Sequence, residues 1–236
     1  MKLLGKSAII TGASSGLGAA WARELAQAGV TVTLFARRKP LLEEVAHEIQ
    51  STGGAAYVCA GDIQNEADIK HLVNTAVSSS GRIDILLNNA GMLGSRLPFD
   101  AYPTTHFQTT LMVNVVGTFC VTRAALPHLR KSPEALVLNV SSYLGRHGLP
   151  NCAGYIASKF GVEGLTQALA EEVRDTPIVV VSLSPGMVAT DMLAEYLGSP
   201  ADDARSPQDA AQILTRMLAT LGPEHHGQQL DIDDWS

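Results

Sequence analysis

The sequence predicts an α/β fold in which helices cover both faces of one doubly wound, seven-stranded parallel sheet. Three observations predict it. Strand-like apolar runs recur at 7–11, 31–36, 55–60, 83–87, 134–140, 177–183 and 228–232, separated by segments that read as helices, and this alternation is the pattern of a parallel sheet. The runs Ile83-Asp84-Ile85-Leu86-Leu87 and Ile178-Val179-Val180-Val181-Ser182-Leu183 are almost continuously apolar, as strands covered on both faces are. A glycine-rich turn joins the first strand to the first helix. The 236 residues fit one unit, 1–236, able to bury a core without disulfides or metal.

The first strand, Ser7-Ala8-Ile9-Ile10, runs into Thr11-Gly12-Ala13-Ser14-Ser15-Gly16-Leu17-Gly18, and helix formers follow from Ala19 to Ala26. Glycine at such a turn permits positive φ and the close approach of a pyrophosphate, while the helix behind it offers unpaired amide donors and the positive end of its dipole. The turn reads as a dinucleotide fingerprint spaced G-x-x-x-G-x-G. The second strand ends in Ala36-Arg37-Arg38-Lys39-Pro40, where an NAD-specific protein carries an acidic residue for the ribose 2′-hydroxyl. Three cations at a helix start, where the dipole already repels them, imply an anionic partner. The 2′-phosphate of NADP fits, with Arg37 offering a planar fork and Arg38 or Ser14 assisting, so NADP(H) is expected in preference to NAD(H). The alternative is a solvated basic turn.

After the third strand comes Gly61-Asp62-Ile63, in which Asp62 is a candidate cap for the helix beginning near Asn65. Asn88-Asn89-Ala90-Gly91 closes the fourth strand with small residues past which a cofactor backbone can run. Asn114 interrupts a long apolar helix, Phe107 to Leu129, where a polar side chain needs partners. Satisfying backbone groups at a helix bend is one role open to it. The fifth strand ends at Ser141-Ser142, and Tyr155 and Lys159 lie one helical turn apart, so the phenol and the ammonium share a face. A phenol with a reference pKa of about 10 works near neutral pH only beside a cation that favours the phenolate, which Lys159 would supply. Ser142 would hold the substrate oxygen. The sixth strand leads into Ser184-Pro185-Gly186-Met187-Val188-Ala189-Thr190.

Composition narrows the field. With 46% hydrophobic and 17% charged residues the chain is expected to fold and to be soluble, and a net charge of −6 gives no reason to expect nucleic-acid binding. No apolar run is expected to approach the roughly 20 residues of a membrane span, and the first strand starts too early to leave room for a cleaved leader, so the expected location is cytoplasmic. Cys59, Cys120 and Cys152 form no C-x-x-C pair and read as buried thiols. His225-His226 has no flanking ligand set and reads as a solvent-facing turn; Arg146 and His147 read as water-facing loop residues without a role. Ser199-Pro200-Ala201-Asp202-Asp203 reads as a loop beside the active site.

Taken together, Thr11 to Gly18, Asn88 to Gly91, Asn114, Ser142, Tyr155-x-x-x-Lys159 and Pro185-Gly186 followed by Thr190 resemble, in order and spacing, the compact single-domain branch of the short-chain dehydrogenases/reductases. The resemblance covers roughly residues 5 to 215. It implies a Rossmann sheet ordered 3-2-1-4-5-6-7 with its ligands along the carboxyl edge. It also implies an NADP(H)-dependent oxidoreductase interconverting a carbonyl and an alcohol at an Asn114-Ser142-Tyr155-Lys159 site. By the same resemblance, Gly12, Ser14, Ser15, Gly16, Leu17, Gly18, Asn89, Ala90 and Gly91 line the cofactor. Asp62 would accept from the adenine amino group, Ile63 would support the ring, and Val188, with Pro185, Gly186 and Thr190, would hold the carboxamide. Lys159 would also bond the nicotinamide ribose, and Asn114 would hold a water that relays protons to it. The resemblance also implies the family's thirteen-residue spacing to the tyrosine, which selects Ser142 over Ser141, and Tyr143 and Ser158 are set aside, Ser158 as packing.

The substrate is bounded by the loop after Gly91, by Leu144 to Gly154 and by Met187 to Ser206. Met92, Leu93, Leu144, Leu149, Met187, Met192, Leu193 and Tyr196 predict an open apolar pocket for an uncharged ketone, aldehyde or alcohol. A second apolar face on 107–129, with the 155–173 helix, predicts a homodimer or homotetramer. The ending Leu230-Asp231-Ile232-Asp233-Asp234-Trp235-Ser236 departs from the family's Asp-Gly-Gly-like turn and leaves a dimer contact through that strand in doubt. Two other readings stand beside this one: an acyl-carrier-protein or polyketide ketoreductase, and a noncatalytic NADP-binding sensor.

Overall fold

The computed structural model describes residues 1–199 and 203–235. Seven strands, β1 (Ser7–Thr11), β2 (Thr31–Ala36), β3 (Ala56–Ala60), β4 (Ile85–Asn88), β5 (Ala135–Val140), β6 (Ile178–Ser184) and β7 (Gln229–Asp231), form one parallel sheet in the order β3-β2-β1-β4-β5-β6-β7. Both the expected strands and the expected order are present, with ends shifted by at most two residues. The order reverses between β1 and β4, and the crevice opened there at the carboxyl ends is where such sheets receive ligands.

Alternation along β1 sends Ile10 to one face and Ile9 to the other, so the two cores divide at the sheet. On the first face, helices α1 (Gly16–Gln27), α2 (Lys39–Ser51) and, near the carboxyl end, α8 (Pro207–Thr220) bury Trp21, Leu25, Leu42 and Leu214 against Leu34 and Leu87. On the second, α3 (Glu66–Ser80), α5 (Thr118–Leu129) and α6 (Ala153–Glu172) bury Leu72, Val121 and Ala170 against Phe35, Leu86 and Val180. Between β6 and α8 lies the short helix α7 (Asp191–Leu197), and α4 (Thr104–Leu111) precedes α5.

The long apolar helix of the sequence reading begins at Thr104 and is not uniform: Met112–Gly117 widens into a π-helical turn between α4 and α5. Such turns occur mostly inside α-helices and frequently at functional sites. Contrary to the expectation of no span-length apolar run, Thr104–Leu129 is long and apolar enough to cross a membrane by length and composition, with a mean hydropathy of 1.3. Its burial of Val121, Ala125 and Leu129 in the core beneath the sheet marks it as a core helix. The cysteines are free thiols. Residues 200–202 of the expected 199–203 loop lie outside the described residues.

Candidate active site

Each proposed site residue follows the carboxyl end of a strand or lies on a helix that packs there. After β1, Gly12 takes φ +68°, and a Cβ on it would come within 2.9 Å of Ala90 Cα and Asn89 Nδ2; one on Gly18 would lie 2.4 Å from the Gly12 carbonyl. The glycines are therefore demanded by close backbone packing as well as by any ligand. Thr11 and Asn89 stitch this turn to the end of β4. Thr11 Oγ1 accepts from the amides of Asn89 and Ala90, both at 3.0 Å, and Asn89 Nδ2 donates to the Thr11 and Gly12 carbonyls at 2.9 and 3.3 Å. The Asn89 side chain is thus spent on the scaffold, and Thr11 shares that work.

The helix behind the turn is prepared for an anion. Its N-cap, Ser15, makes no side-chain capping bond, and the first turn of α1 carries no acidic residue. Ser14 and Ser15 instead accept from Arg38 Nη2 at 3.1 and 2.6 Å, which anchors this guanidinium over the turn. The first turn of α2 also lacks an acid, Lys39 pairs with Glu43 at 3.6 Å, and Arg37 is exposed. A basic, uncapped cradle with glycines at its closest approach fits a phosphorylated dinucleotide on these grounds.

Asp62 does not cap α3. Asn65 does, accepting from the Ala67 amide at 2.9 Å, while Asp62 Oδ1 accepts from the Gln64 amide at 2.9 Å in a tight turn. Ile63 is buried, and its side chain fills the space beside Gly117 in the π-helical turn. At the end of β6, Val188 pairs with Arg205 in an isolated bridge, and Thr190 caps α7 by accepting from the Leu193 amide at 3.3 Å. The Thr190 methyl sits where a Cβ on Gly16 would approach within 3.0 Å, so the Pro185–Thr190 segment lies against the fingerprint turn.

The remaining candidates converge. Ser142 caps a short 3-10 turn by accepting from the Leu144 amide at 3.1 Å, and its side chain is hydrogen-bonded to Tyr155. Lys159 is 5% exposed; its ammonium donates to the Val140 carbonyl at 2.8 Å and stands 5.5 Å from the Tyr155 ring centroid. Burial pushes the Lys159 ammonium down to about 8, with the Glu163 carboxylate acting in the opposite direction. Burial raises the Tyr155 phenol, and the Ser142 bond only partly opposes this. In the ligand-free protein the phenol is therefore raised and not depressed, with burial the largest cause.

Asn114 is buried in the π-helical turn. Its Oδ1 accepts from the Met92 amide at 2.8 Å, and its Nδ2 donates to the Met92 carbonyl at 2.9 Å and to Ser158 Oγ at 2.8 Å. These bonds tie the π-helical turn to the loop at Met92 and to α6, and none of them goes to a backbone group of the bend itself. Its position beside Gly91, whose added Cβ would meet Asn114 Oδ1 at 3.4 Å and Lys159 Nζ at 3.9 Å, places it next to the ammonium as well. Ser158 does more than pack: it bridges Asn114 to the Tyr155 carbonyl, to which it donates at 2.7 Å. Ser141 Oγ is buried without a hydrogen-bond partner among the described residues.

Two expectations about side chains fail, at Arg146 and at His226. Arg146 turns inward, its Nε 3.7 Å from the buried Glu163 carboxylate and its Nη2 donating to the Leu230 carbonyl at 3.3 Å. His147 is exposed, as expected, and stacks on the exposed Tyr143 with centroids 3.9 Å apart. His226 is half-buried; its Nδ1 accepts from the Val180 amide at 3.2 Å while Nε2 faces the Ala170 carbonyl at 2.9 Å, so it pins α6 to β6. Leu93 is buried. Sequence reasoning also missed Arg96, which donates to the Tyr196 carbonyl and lies 4.5 Å over the Tyr196 ring, clasping the loop after β4 to α7. Among the described residues no cluster of His, Cys, Asp and Glu could hold a metal ion.

A protein-family model described as short chain dehydrogenase matches residues 6–199. The NADPH-dependent pterin aldehyde reductase of Arabidopsis thaliana is 31% identical over 227 residues, 96% of this chain and 93% of that protein. A short chain dehydrogenase structure from Pseudomonas syringae superposes with a TM-score of 0.91 at 35% identity, covering 98% of this chain and 96% of the other. A short chain dehydrogenase from Shigella flexneri complexed with NADP superposes with a TM-score of 0.90 at 31% identity, covering 98% and 99%.

Proposed function

Because the chain belongs to the short-chain dehydrogenase family, we propose that it is a cytosolic NADP(H)-dependent oxidoreductase that reduces an uncharged ketone or aldehyde, or runs the reverse oxidation. The observation that carries this reading is the convergence of Ser142, Tyr155 and Lys159 at the ends of β5 and the start of α6, facing the dinucleotide cradle.

NADPH held in this cradle would supply the hydride for the carbonyl carbon. The chain does the rest. Tyr155, poised by its bond to Ser142, gives its phenolic proton to the carbonyl oxygen, and the Ser142 hydroxyl bonds the charge developing there. Lys159, protonated at neutral pH with a pKa of about 8, stabilises the phenolate left behind. Asn114 and Ser158 hold the Tyr155 turn against the loop at Met92, so that the phenol and Gly91 keep their spacing. Arg37, free of the serines that occupy Arg38, binds the 2′-phosphate. Asp62 and Ile63 bound the adenine, and Pro185, Gly186, Val188 and Thr190 the carboxamide.

The similarity to an NADPH-dependent pterin aldehyde reductase supports an aldehyde or ketone as substrate. Leu149, Met187 and Met192, each more than a third exposed around the mouth, supply an apolar rim. Met112, Val116 and Phe119, exposed on one side of 107–129, with Phe160 on α6, form the face of a homodimer. The test is NADPH consumption across ketones and aldehydes with the native protein and Tyr155→Phe. Turnover that vanishes in the variant while NADPH binding persists is expected, and equal turnover by both would refute the reading.

A further inference from the structure

The Ser142-Tyr155-Lys159 chemistry leaves unused a buried carboxylate that lies next to it. Glu163 is 3% exposed and lies one helical turn beyond Lys159, so the two side chains share the inward face of α6. An ionised carboxylate in such a place needs compensation, since an unpaired buried charge costs several kcal/mol. Three elements supply it. From β6, Ser182 Oγ donates to Glu163 Oε2. From the loop after β5, Arg146 Nε faces Glu163 Oε1 across 3.7 Å, and neither atom has a hydrogen-bond partner. The third group, and the second compensating charge, is Lys159 itself.

The loop is shaped to allow this. A Cβ on Gly145 would come within 2.7 Å of Ser141 Oγ and 3.3 Å of Glu163 Cγ, so only glycine lets the Ser142–Arg146 turn close over the carboxylate. Arg146 then reaches past Glu163 to the Leu230 carbonyl beyond β6. The charged and titratable groups facing this cluster are few: Tyr155, Lys159 and Glu163 from α6, Arg146 from the loop, and the Cys152 thiol just before α6. Asn114 and Ser182 contribute neutral dipoles from the π-helical turn and β6.

We propose that Glu163 is a positioning residue that keeps the Lys159 ammonium charged beneath Tyr155, with Ser182 and Arg146 holding its carboxylate in place. Lys159 has one protein acceptor, the Val140 carbonyl, and is removed from water. A neutral amine is the preferred state of such a side chain unless an opposite charge lies near. Glu163 is that charge, and the burial of both groups makes their attraction long-lived and weakly screened. The inference rests on the proposed role of Lys159 in supporting the phenolate.

The test reads Lys159 directly. The chain has six lysines, so 13Cε-labelled lysine gives a resolvable titration in the ligand-free protein, with Lys159→Arg identifying the resonance. Native Lys159 is expected to titrate near 8. Glu163→Gln preserves shape and still accepts from Ser182, and it should move the Lys159 midpoint down by at least about half a unit. Glu163→Asp, which keeps the charge, should restore most of the difference. In alcohol oxidation with NADP⁺, the acid limb of the pH profile should move to higher pH in Glu163→Gln, with substrate KM changed less than kcat. An unchanged Lys159 midpoint in Glu163→Gln, or equal shifts in the Gln and Asp variants, would overturn the proposal. Neither outcome depends on turnover, so the role of Lys159 in catalysis is judged separately by Lys159→Ala.

Discussion

Lys159 is the residue at which function and stability pull hardest against each other, and Lys159→Met measures the conflict. Burial lowers its pKa from 10.5 to about 8 in the folded protein. At about 1.4 kcal/mol per unit, holding the charge inside destabilises the ligand-free fold by about 3 kcal/mol. The folded pKa is the lower one, so this penalty is present in full below pH 8, fades as the folded protein gives up the proton that the unfolded chain keeps, and is gone above 10.5. Methionine replaces the stem without the charge, but leaves the Val140 carbonyl without the 2.8 Å donor, a loss of about 1 kcal/mol. The variant should therefore be more stable than the native protein by about 2 kcal/mol at pH 7, raising Tm by about 4–8 °C for a chain of this length. By pH 10 the advantage should fall to within about 0.5 kcal/mol of zero. Urea unfolding of both proteins at pH 7 and 10, at one protein concentration, reads the difference and cancels groups common to both. A variant no more stable at pH 7, or equally favoured at both pH values, would refute the reasoning.

Other perturbations probe the remaining parts of the site. Ser142→Ala should lower kcat by about 10²–10³-fold with a small change in cofactor affinity, measured by steady-state kinetics and NADPH titration. Arg37→Ala should raise the KM for NADPH by about 10–100-fold and leave that for NADH unchanged, because only the 2′-phosphate contact is lost; equal effects on both would make the basic turn a solvated one. Phe119→Glu puts a charge on a side chain 47% exposed on the proposed helix-paired face and should shift the protein to monomer in light scattering without unfolding it.

What the sequence made legible follows from the range of its signals. Strand positions were readable because a buried parallel strand needs a local apolar run, and the glycine turn because close packing leaves Gly12 and Gly18 no room for a side chain. The spacing of Tyr155 and Lys159 was readable because one helical turn fixes it. Partners across the fold were not. Nothing near Arg146 in sequence marks it as the neighbour of Glu163, seventeen residues on, and nothing near His226 points to the Val180 amide. Both had the composition of a wet loop and turned inward because a buried group elsewhere lacked a partner. Burial of the Tyr155 phenol was hidden for a related reason: spacing shows the cation, but not the burial that raises the phenol in the ligand-free protein. The π-helical turn at Asn114 left only a weak trace, a polar residue in an apolar helix with Gly117 three residues on.

The most direct test of the central claim is NADPH oxidation with a panel of ketones and aldehydes, run alongside NADPH binding, for the native protein and Tyr155→Phe. Removing a single oxygen from the hydrogen-bonded Ser142–Tyr155 pair should abolish nearly all turnover while leaving NADPH affinity within about twofold, because the phenol serves the proton and not the cofactor phosphates. Undiminished turnover by Tyr155→Phe would contradict the assignment of that proton to Tyr155.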